Sequence, residues 1–285
     1  MRKLLFICAV SVYANSLGQA DPYLLTNGFS ALWQNPATYG SKYKLEANVV
    51  GHLIFPKLTN DISVLGNVAY RFDLKNRDRI SFGMGAYNLY NNYSYMHTNL
   101  FQVPANVQFH FERFSASIGI SPGINYRDYY PFYNGKQLAF TMGGGLSIYT
   151  KRFYFSGSVN HITGERFSKL NSTAPRSFWA QTGYKIPIRS FSVFPMVNYV
   201  YTSGYMMIHA RVFFQFPKEI VSIGGGYIFN DALTLAIRLK FRQYVIMYNF
   251  QGSTSALTKG WGNIHELRLS FLLSDFKKKE TDSKD

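Results

Sequence analysis

Apolar and polar residues alternate in short blocks between about residues 44 and 273 of this chain. One block places apolar residues at every second position from Leu233 to Phe241 and sets Arg238 and Lys240 between them. Because successive side chains of a β-strand point to opposite faces, this block predicts a strand with one apolar and one basic face. Two architectures use such strands. A soluble β-sandwich packs the apolar face into a core, and a closed membrane barrel turns it toward lipid.

About 14 such blocks follow one another, most of them close to the roughly 9–11 residues with which a tilted strand crosses a bilayer. The predicted strands cover residues 44–54, 61–72, 79–90, 100–111, 114–125, 138–149, 153–162, 176–186, 191–201, 205–216, 220–229, 232–242, 244–251 and 262–273. Two of them contain a proline, Pro104 or Pro195, which predicts either a bulge there or a strand whose limits lie elsewhere.

The connections between these blocks alternate in length. Those after even-numbered predicted strands are short, whereas longer ones follow several odd-numbered strands, at residues 91–99, 126–137, 163–175 and 252–261. Short periplasmic turns and longer extracellular loops are typical of outer-membrane barrels. We therefore predict an all-β fold, a transmembrane antiparallel β-barrel of about 14 strands that is integral to the outer membrane. An even strand count places both termini in the periplasm.

The composition fits this architecture. Aromatic residues make up 18% of the chain, and such residues concentrate at both membrane interfaces. The mean hydropathy of −0.11 is ordinary because the two faces of each strand cancel. The formal net charge of +15 admits nucleic acid, anionic lipid head groups or an acidic partner. Export of the chain would make nucleic acid the least expected of these, and we predict no nucleic-acid partner.

The ends of the chain predict further segments. Residues 1–20 have the basic start at Arg2 and Lys3, the apolar stretch and the small-residue cleavage site of a secretory signal peptide. Residues 21–43 lack alternation, so we expect them to line the periplasmic mouth or to fold into the lumen as a plug. Residues 44–273 form the predicted barrel, and residues 274–285 a charged periplasmic tail. The one cysteine, Cys8, falls in the signal peptide, which leaves no disulfide or thiolate metal site after cleavage.

The long connections are rich in tyrosine and asparagine, which combine rigid aromatic area with adaptable polar groups. They are read either as a partner surface outside the cell or as an aromatic girdle with ordinary loops. The residues predicted to contact a partner are Tyr90, Asn91, Tyr93, Tyr95, Tyr126, Tyr129, Tyr130 and Tyr133.

Basic residues on the polar strand faces predict a positively charged lumen, which could select anionic solutes or hold an acidic plug. Alternatively, Glu266 and other acids neutralise them. These basic residues are Arg211, Arg238, Lys240 and Arg268. We also assign Asn35, Pro36 and Ala37 to packing against the barrel, and His265 and Glu266 to the seam between the last and first strands.

No pattern in the chain points to catalysis or to a cofactor. His161 and His209 stand in no spacing that singles out a triad, and no two histidines have metal-ligand spacing. The glycine runs at 143–145 and 224–226 lack the helix and the Lys-Ser/Thr ending of a phosphate loop, so they predict sharp bending or close approach within the lumen. We expect no enzyme activity, metal or cofactor. A membrane-embedded lipid hydrolase is the enzymatic alternative.

Short motifs at both ends carry a family resemblance. They are Asp21-Pro22 after the signal, the segment Trp33-Gln34-Asn35-Pro36-Ala37 with Gly40, and His265-Glu266 followed by alternating Leu267, Leu269 and Phe271. These motifs resemble the mature start, the Asn-Pro-Ala segment and the final strand of the PorP/SprF family of Bacteroidota outer-membrane proteins.

The resemblance implies a non-enzymatic role in type IX secretion and often in gliding motility. Members are expected to bind and anchor, or help export, a surface adhesin or other cargo with a type B C-terminal domain. The implied partners are that cargo, type IX secretion subunits and outer-membrane lipid or lipopolysaccharide. Because an Asn-Pro-Ala segment also occurs in channels of the FadL type, a FadL-like or porin-like channel for small or hydrophobic solutes is the alternative.

Overall fold

The computed structural model describes residues 35–55, 61–74, 79–93, 96–129, 136–167, 172–202, 205–254 and 263–274. The predicted signal peptide, residues 21–34 and residues 275–285 lie outside these ranges. Two 3₁₀ turns are Pro36–Thr38 and Pro217–Glu219. The strands are β1 Leu45–Phe55, β2 Asp61–Asp73, β3 Ile80–Tyr93, β4 Met96–Gln102, β5 Ala105–His110, β6 Ser115–Tyr129, β7 Gln137–Tyr149, β8 Phe153–Asn160, β9 Arg166–Phe167, β10 Ser172–Thr173, β11 Ser177–Tyr184, β12 Ile186–Ile188, β13 Phe191–Thr202, β14 Tyr205–Gln215, β15 Val221–Ile228, β16 Ala232–Phe241, β17 Tyr244–Ser253 and β18 Asn263–Leu273.

A single antiparallel sheet closes on itself. Sixteen segments belong to it, β1 pairs with β18, and β11 pairs with both β8 and β13. β4 and β5 are two parts of one barrel strand, and so are β11 and β12, which leaves 14 strands around the ring. The short pair β9–β10 forms a separate hairpin. The predicted all-β barrel of 14 strands is therefore confirmed.

The two prolines do not disturb the strand register. Gln102 faces Tyr87 and Ala105 faces Met84, so β3 and the β4–β5 strand keep equal residue counts across Pro104. The carbonyl of Pro104 still accepts a hydrogen bond of 2.9 Å from the amide of Gly85. Pro195 likewise sits inside an unbroken β13–β14 ladder. The bulge half of the prediction is wrong at both positions, because a missing N–H interrupts one bond without adding a residue to the strand. The other half holds at Pro104, where the segments Met96–Gln102 and Ala105–His110 replace the predicted span 100–111.

The distribution of polarity is the reverse of that in a soluble domain. On β16, Leu235 is 62% exposed on the outer face, while Thr234 and Arg238 are buried on the inner face. The same alternation recurs around the ring. A closed ladder pairs the backbone polar groups of its strands, which an apolar environment requires. The outer face is therefore suited to lipid and the inner face lines a lumen.

The lumen is not polar throughout. Toward the long connections, inward apolar side chains from most of the strands pack into one cluster. Its members are Val50, Leu65, Tyr87, Leu89, Leu100, Trp179, Val200, Met207, Ile228 and Ala232. Toward the short turns, the inward positions carry mainly amides, hydroxyls and charges. Polar side chains such as Asn91 and Arg127 are also buried toward the long connections, and a smaller apolar cluster of Met196, Phe213, Ala236 and Met247 lies in the half of the lumen toward the short turns.

Among the described residues, no helix is long and apolar enough to cross a bilayer.

Candidate functional site

Residues 35–43 lie inside the barrel against a floor of glycines. A Cβ atom on Gly83 would lie 1.9 Å from the carbonyl oxygen of Tyr39, and one on Gly145 would lie 2.0 Å from Oδ1 of Asn35. Real Cβ atoms do not approach so closely, so only glycine fits at these wall positions. Gly145 belongs to the run at 143–145, and its role is the close approach of another segment within the lumen.

Asn35 fixes the start of this inserted segment. Its Nδ2 donates hydrogen bonds to the carbonyl of Leu146 (2.8 Å), to Oγ of Ser156 (2.7 Å) and to the carbonyl of Gly157 (3.0 Å). Its Oδ1 accepts one from the amide of Ala37 at 2.9 Å, which caps the 3₁₀ turn Pro36–Thr38. Asn35 is 2% exposed and Ala37 is fully buried. Asn35 therefore lies against the inner wall of β7 and β8, and Pro36 and Ala37 lie against β5 and β6.

Wall amides hold the rest of the segment, and sequence reasoning missed them. Asn106 donates to the carbonyls of Pro36 and Tyr39, each at 2.8 Å, and Gln108 also donates to Tyr39 at 2.8 Å. Oγ of Ser117 donates to the carbonyl of Ala37 at 2.6 Å. The only available signal was their inward parity on β5 and β6. Burial, with a contribution from Glu46, raises the pKa of the Tyr39 phenol, which stays neutral.

Three of the four predicted basic lumen residues are buried, namely Arg211, Arg238 and Arg268, and Lys240 is half-buried near the short-turn mouth. Arg211 stacks its guanidinium 6.0 Å from the ring centre of Phe213. Nη1 of Arg238 donates to the carbonyl of Glu219 at 3.3 Å. The inward basic character predicted for the lumen is thus located toward the short turns.

The acid in direct contact with Arg268 is Glu46. Nη2 of Arg268 lies 3.1 Å from Oε1 of Glu46 and 2.6 Å from Oδ1 of Asn48, and its Nε donates to Asn48 (3.1 Å) and Ser270 (2.8 Å). Sequence reasoning named Glu266 together with other, unspecified acids. The period-two spacing of Glu46 and Asn48 on β1 was the signal for an inward polar pair. This network crosses the seam, because Arg268 and Ser270 lie on β18.

His265 and Glu266 lie on the ladder between β18 and β1, opposite Leu53 and His52. Their side chains point in opposite directions. Glu266 is buried in the lumen, where its Oε2 lies 3.3 Å from Nδ1 of His52. His265 faces outward, with Nδ1 2.7 Å from the hydroxyl of Tyr248. The inner member of the pair therefore links the two strands that close the barrel.

The residues predicted for partner contact are spread over different surroundings. Tyr90 and Tyr126 face outward, Tyr90 with its hydroxyl 3.4 Å from Nδ1 of His97. Asn91 faces the lumen and donates to Thr98 at 2.9 Å. Tyr93 and Tyr129 end strands β3 and β6, but their side chains lie outside the described set. Tyr95, Tyr130 and Tyr133 are likewise outside the described residues.

The predicted long connection at 91–99 is wrong. β3 runs to Tyr93 and β4 begins at Met96, so most of these residues continue the hairpin. Within this hairpin Asn91 is buried on the inward face while the neighbouring Tyr90 is exposed, and tyrosine favours strands. The predicted connection at 126–137 is shortened in the same way, because β6 extends to Tyr129.

At this same long-connection mouth the wall stops short at β8. β7 begins at Gln137, yet β8 pairs with it only from Gly144 onward. The chain after β8 folds inward and is held by Glu165, which sequence reasoning missed. Oε1 of Glu165 lies 2.5 Å from Nδ1 of His161, and its Oε2 accepts a bond of 2.7 Å from Nδ2 of Asn125. This buried cluster fixes the connection over the low part of the wall.

The described residues contain no group of three or more His, Cys, Asp or Glu side chains arranged to hold a metal ion.

Comparison with solved structures identifies similar barrels. The monoaromatic hydrocarbon channel CymD has 11% sequence identity, with 86% of this chain and 93% of that chain covered at a TM-score of 0.54. The P. putida toluene transporter TodX has 10% identity, covers 91% and 97%, and gives 0.52. The outer-membrane protein Omp33 of Acinetobacter baumannii has 10% identity, covers 82% and 100%, and gives 0.50. At such low identity the likeness shows a shared fold.

Sequence comparison is more specific. No curated protein matches the chain at a significant level. A family model described as "Type IX secretion system membrane protein PorP/SprF" matches residues 34–271, which include the inserted Asn-Pro-Ala segment and nearly the whole barrel. Fold and family together make this an outer-membrane protein. The chain belongs to the PorP/SprF family of type IX secretion system membrane proteins.

Proposed function

We propose that this barrel binds the C-terminal domain of a large exported surface protein and anchors it or helps its export. Such a partner would be an adhesin or other type IX cargo with a type B signal domain, and the role would extend to gliding motility where the cargo is an adhesin. The observation that carries the proposal is that residues 35–43 are inserted into the lumen and hydrogen-bonded to its wall. A segment that is hydrogen-bonded into the lumen of a secretion-family barrel favours holding a partner over free diffusion.

In this proposal the short turns and both termini face the periplasm, and the long connections face outside. The partner then meets the mouth around the low wall at β8. Tyr90 and Tyr126 are the predicted contact residues whose outward side chains are described. Aromatic side chains bring large contact area at low entropic cost, which suits a protein interface. Type IX subunits and outer-membrane lipid are further partners in this arrangement.

One observation favours a second function, a channel for small hydrophobic solutes. The apolar cluster that includes Trp179 lines the lumen toward the long connections. Two barrels of similar fold are named as hydrocarbon channels or transporters. Hydrocarbon binding in the lumen is measurable by quenching of Trp179 with bromobenzene, in a chain whose other two tryptophans are replaced by phenylalanine. Saturable quenching favours the channel, and quenching that matches partition into micelles counts against it.

The partner proposal is tested by purifying the tagged barrel from its native membrane in mild detergent. We expect a surface-exposed protein with a type B C-terminal domain to co-purify. Replacing Tyr90 and Tyr126 together by alanine should reduce its recovery severalfold. Tyr244→Ala is the matched control, because Tyr244 is an exposed outward tyrosine beside a short turn. Recovery of the barrel alone in every preparation would contradict the proposal.

A further inference from the structure

A small recess, open to solvent, lies inside the barrel at the short-turn mouth. Its polar lining comes from Tyr43, Glu46, Arg238, Arg268 and Ser270. These residues belong to the inserted segment and to β1, β16 and β18, so four parts of the chain build it. The two arginines and the glutamate are each at least 90% buried. Such a desolvated setting strengthens any charge-assisted hydrogen bond formed there.

The lining has more donors than acceptors. Glu46 is the one carboxylate in the lining, and its Oε1 already accepts from Arg268 and Asn48. The guanidinium of Arg268 and the hydroxyl of Tyr43 are both part of the lining. Burial and the nearby Glu46 raise the pKa of Tyr43, against the opposing effect of Arg238 and Arg268, so its hydroxyl is a donor at neutral pH. These donors converge on the recess.

The surrounding charge is positive as well. Lys42 lies close enough to Arg238 and Arg268 for electrostatic interaction with both, and Lys240 is on the inward face two residues after Arg238. The nearest further acid, Glu219, is engaged by Lys185 at 2.5 Å. Burial raises the pKa of Glu219. The hydrogen bond and charge of Lys185, together with the charges of Arg238 and Lys240, outweigh this and bring the pKa below its ordinary value. The recess is therefore poised for an anion.

The remaining lining is apolar. Val245 and Met247 on β17 and Leu272 on β18 are buried beside the two guanidinium groups. A carboxylate or similar oxyanion that enters the recess therefore meets both guanidinium groups, and a hydrocarbon group beside it meets apolar side chains. Arginine forks match a planar carboxylate in two parallel bonds. An acidic residue flanked by an apolar one in an extended peptide has this chemistry.

We propose that this recess binds a carboxylate carried by an acidic, partly apolar polypeptide segment of a partner. A polypeptide fits better than a membrane lipid, because the lining side chains all point into the lumen, away from the lipid-facing surface. The site is at the mouth opposite to Tyr90 and Tyr126, and it does not depend on the function proposed above. In the proposed orientation it faces the periplasm.

The test uses the full barrel in detergent and a fluorescein-labelled peptide of alternating leucine and glutamate. We expect saturable binding in fluorescence anisotropy, weakened by added salt, and no binding of the leucine–glutamine counterpart. Arg238→Gln should weaken binding by about tenfold or more, since it removes a charged donor. Arg242→Gln is the matched control. It removes a cation at the same mouth from an exposed turn position and should leave affinity unchanged. Heat-modifiable migration of each variant confirms a folded barrel.

Four outcomes overturn the proposal. They are equal binding of both peptides, no binding of the glutamate peptide, unchanged affinity in Arg238→Gln, and stronger competition by a soluble short-chain phosphatidate than by unlabelled peptide. A fifth concerns the tail, which starts two residues after Leu272 and contains Asp275, Glu280, Asp282 and Asp285. Binding that emerges only after deletion of residues 275–285 would assign the recess to the chain's own tail.

Discussion

At the scale of single residues, the most constrained positions are glycines whose missing side chain leaves room for another part of the chain. Gly145 is such a position, because Oδ1 of Asn35 occupies the space of its Cβ. Gly66 on β2 is the opposite case, with no atom within 4 Å of a built Cβ. The two glycines look alike in sequence, since both stand in strands, and only the contact separates them.

We expect Gly145→Ala to destabilise the barrel by about 1–3 kcal/mol, because the new methyl group must displace Asn35 from its hydrogen bonds. Urea unfolding in lipid vesicles measures the difference. Gly66→Ala serves as the control and should change the free energy of unfolding by less than about 0.5 kcal/mol. Equal effects of the two substitutions would show that the hydrogen bonds of Asn35 contribute nothing to the free energy of unfolding.

A second residue-scale prediction concerns Glu219, whose carboxylate is paired with Lys185 outside the strands. Because its pKa is lowered in the folded barrel, its stabilisation is present above the ordinary value of 4.5 and is lost as the pH falls below it. Both side chains are more than a third exposed, so Glu219→Gln should cost less than about 1 kcal/mol at pH 7. Unfolding measured at pH 7 and pH 3 checks this. If the difference in free energy of unfolding between the parent barrel and Glu219→Gln were larger at pH 3 than at pH 7, the lowered pKa of Glu219 would be contradicted.

At the scale of the element, the two faces of each strand meet different environments, lipid outside and the lumen inside. β16 shows this most clearly, with leucine and isoleucine outward and Thr234 and Arg238 inward. Such strands need a closed ladder, because an unpaired edge in lipid would leave backbone groups unsatisfied.

We expect Leu235→Arg to destabilise the barrel by about 2–4 kcal/mol, because this outward side chain lies in the middle of β16 and a charge there meets the bilayer core. The same substitution at Phe241, the last residue of β16, is the depth control and should cost about 0–1 kcal/mol. Unfolding from lipid vesicles gives both values. Similar costs at the two depths would place this face of β16 outside the hydrocarbon layer.

At the scale of the whole molecule, the architecture was largely predictable because the alternation of apolar and polar residues recurs from strand to strand. The predicted span 191–201 differs by one residue from Phe191–Thr202, and 114–125 begins one residue before Ser115 and lacks the extension to Tyr129. The residue pairs that build the sites were not predictable. Arg268 contacts Glu46 across a separation of 222 residues, and Asn35 contacts Ser156 across 121. Strand parity tells which face a residue occupies but not which distant residue it meets.

A last prediction follows at this scale. Since the outer face is apolar around the ring, the barrel should remain dispersed only with detergent or lipid. Size-exclusion chromatography of the refolded chain, with and without detergent, measures this. A monodisperse species in plain buffer would be incompatible with the exposed apolar faces described here.

The inserted segment also has a mechanical consequence. It runs directly into β1, whose neighbour β18 accepts a bond from Lys44, while its other end is fastened to β7 and β8. These strands stand about half a circumference apart in the ring. The segment therefore links opposite sides of the barrel, which fixes the width of the barrel at this level and resists its flattening. It can be fastened only once the intervening strands have curved round, so its fastening comes late in assembly.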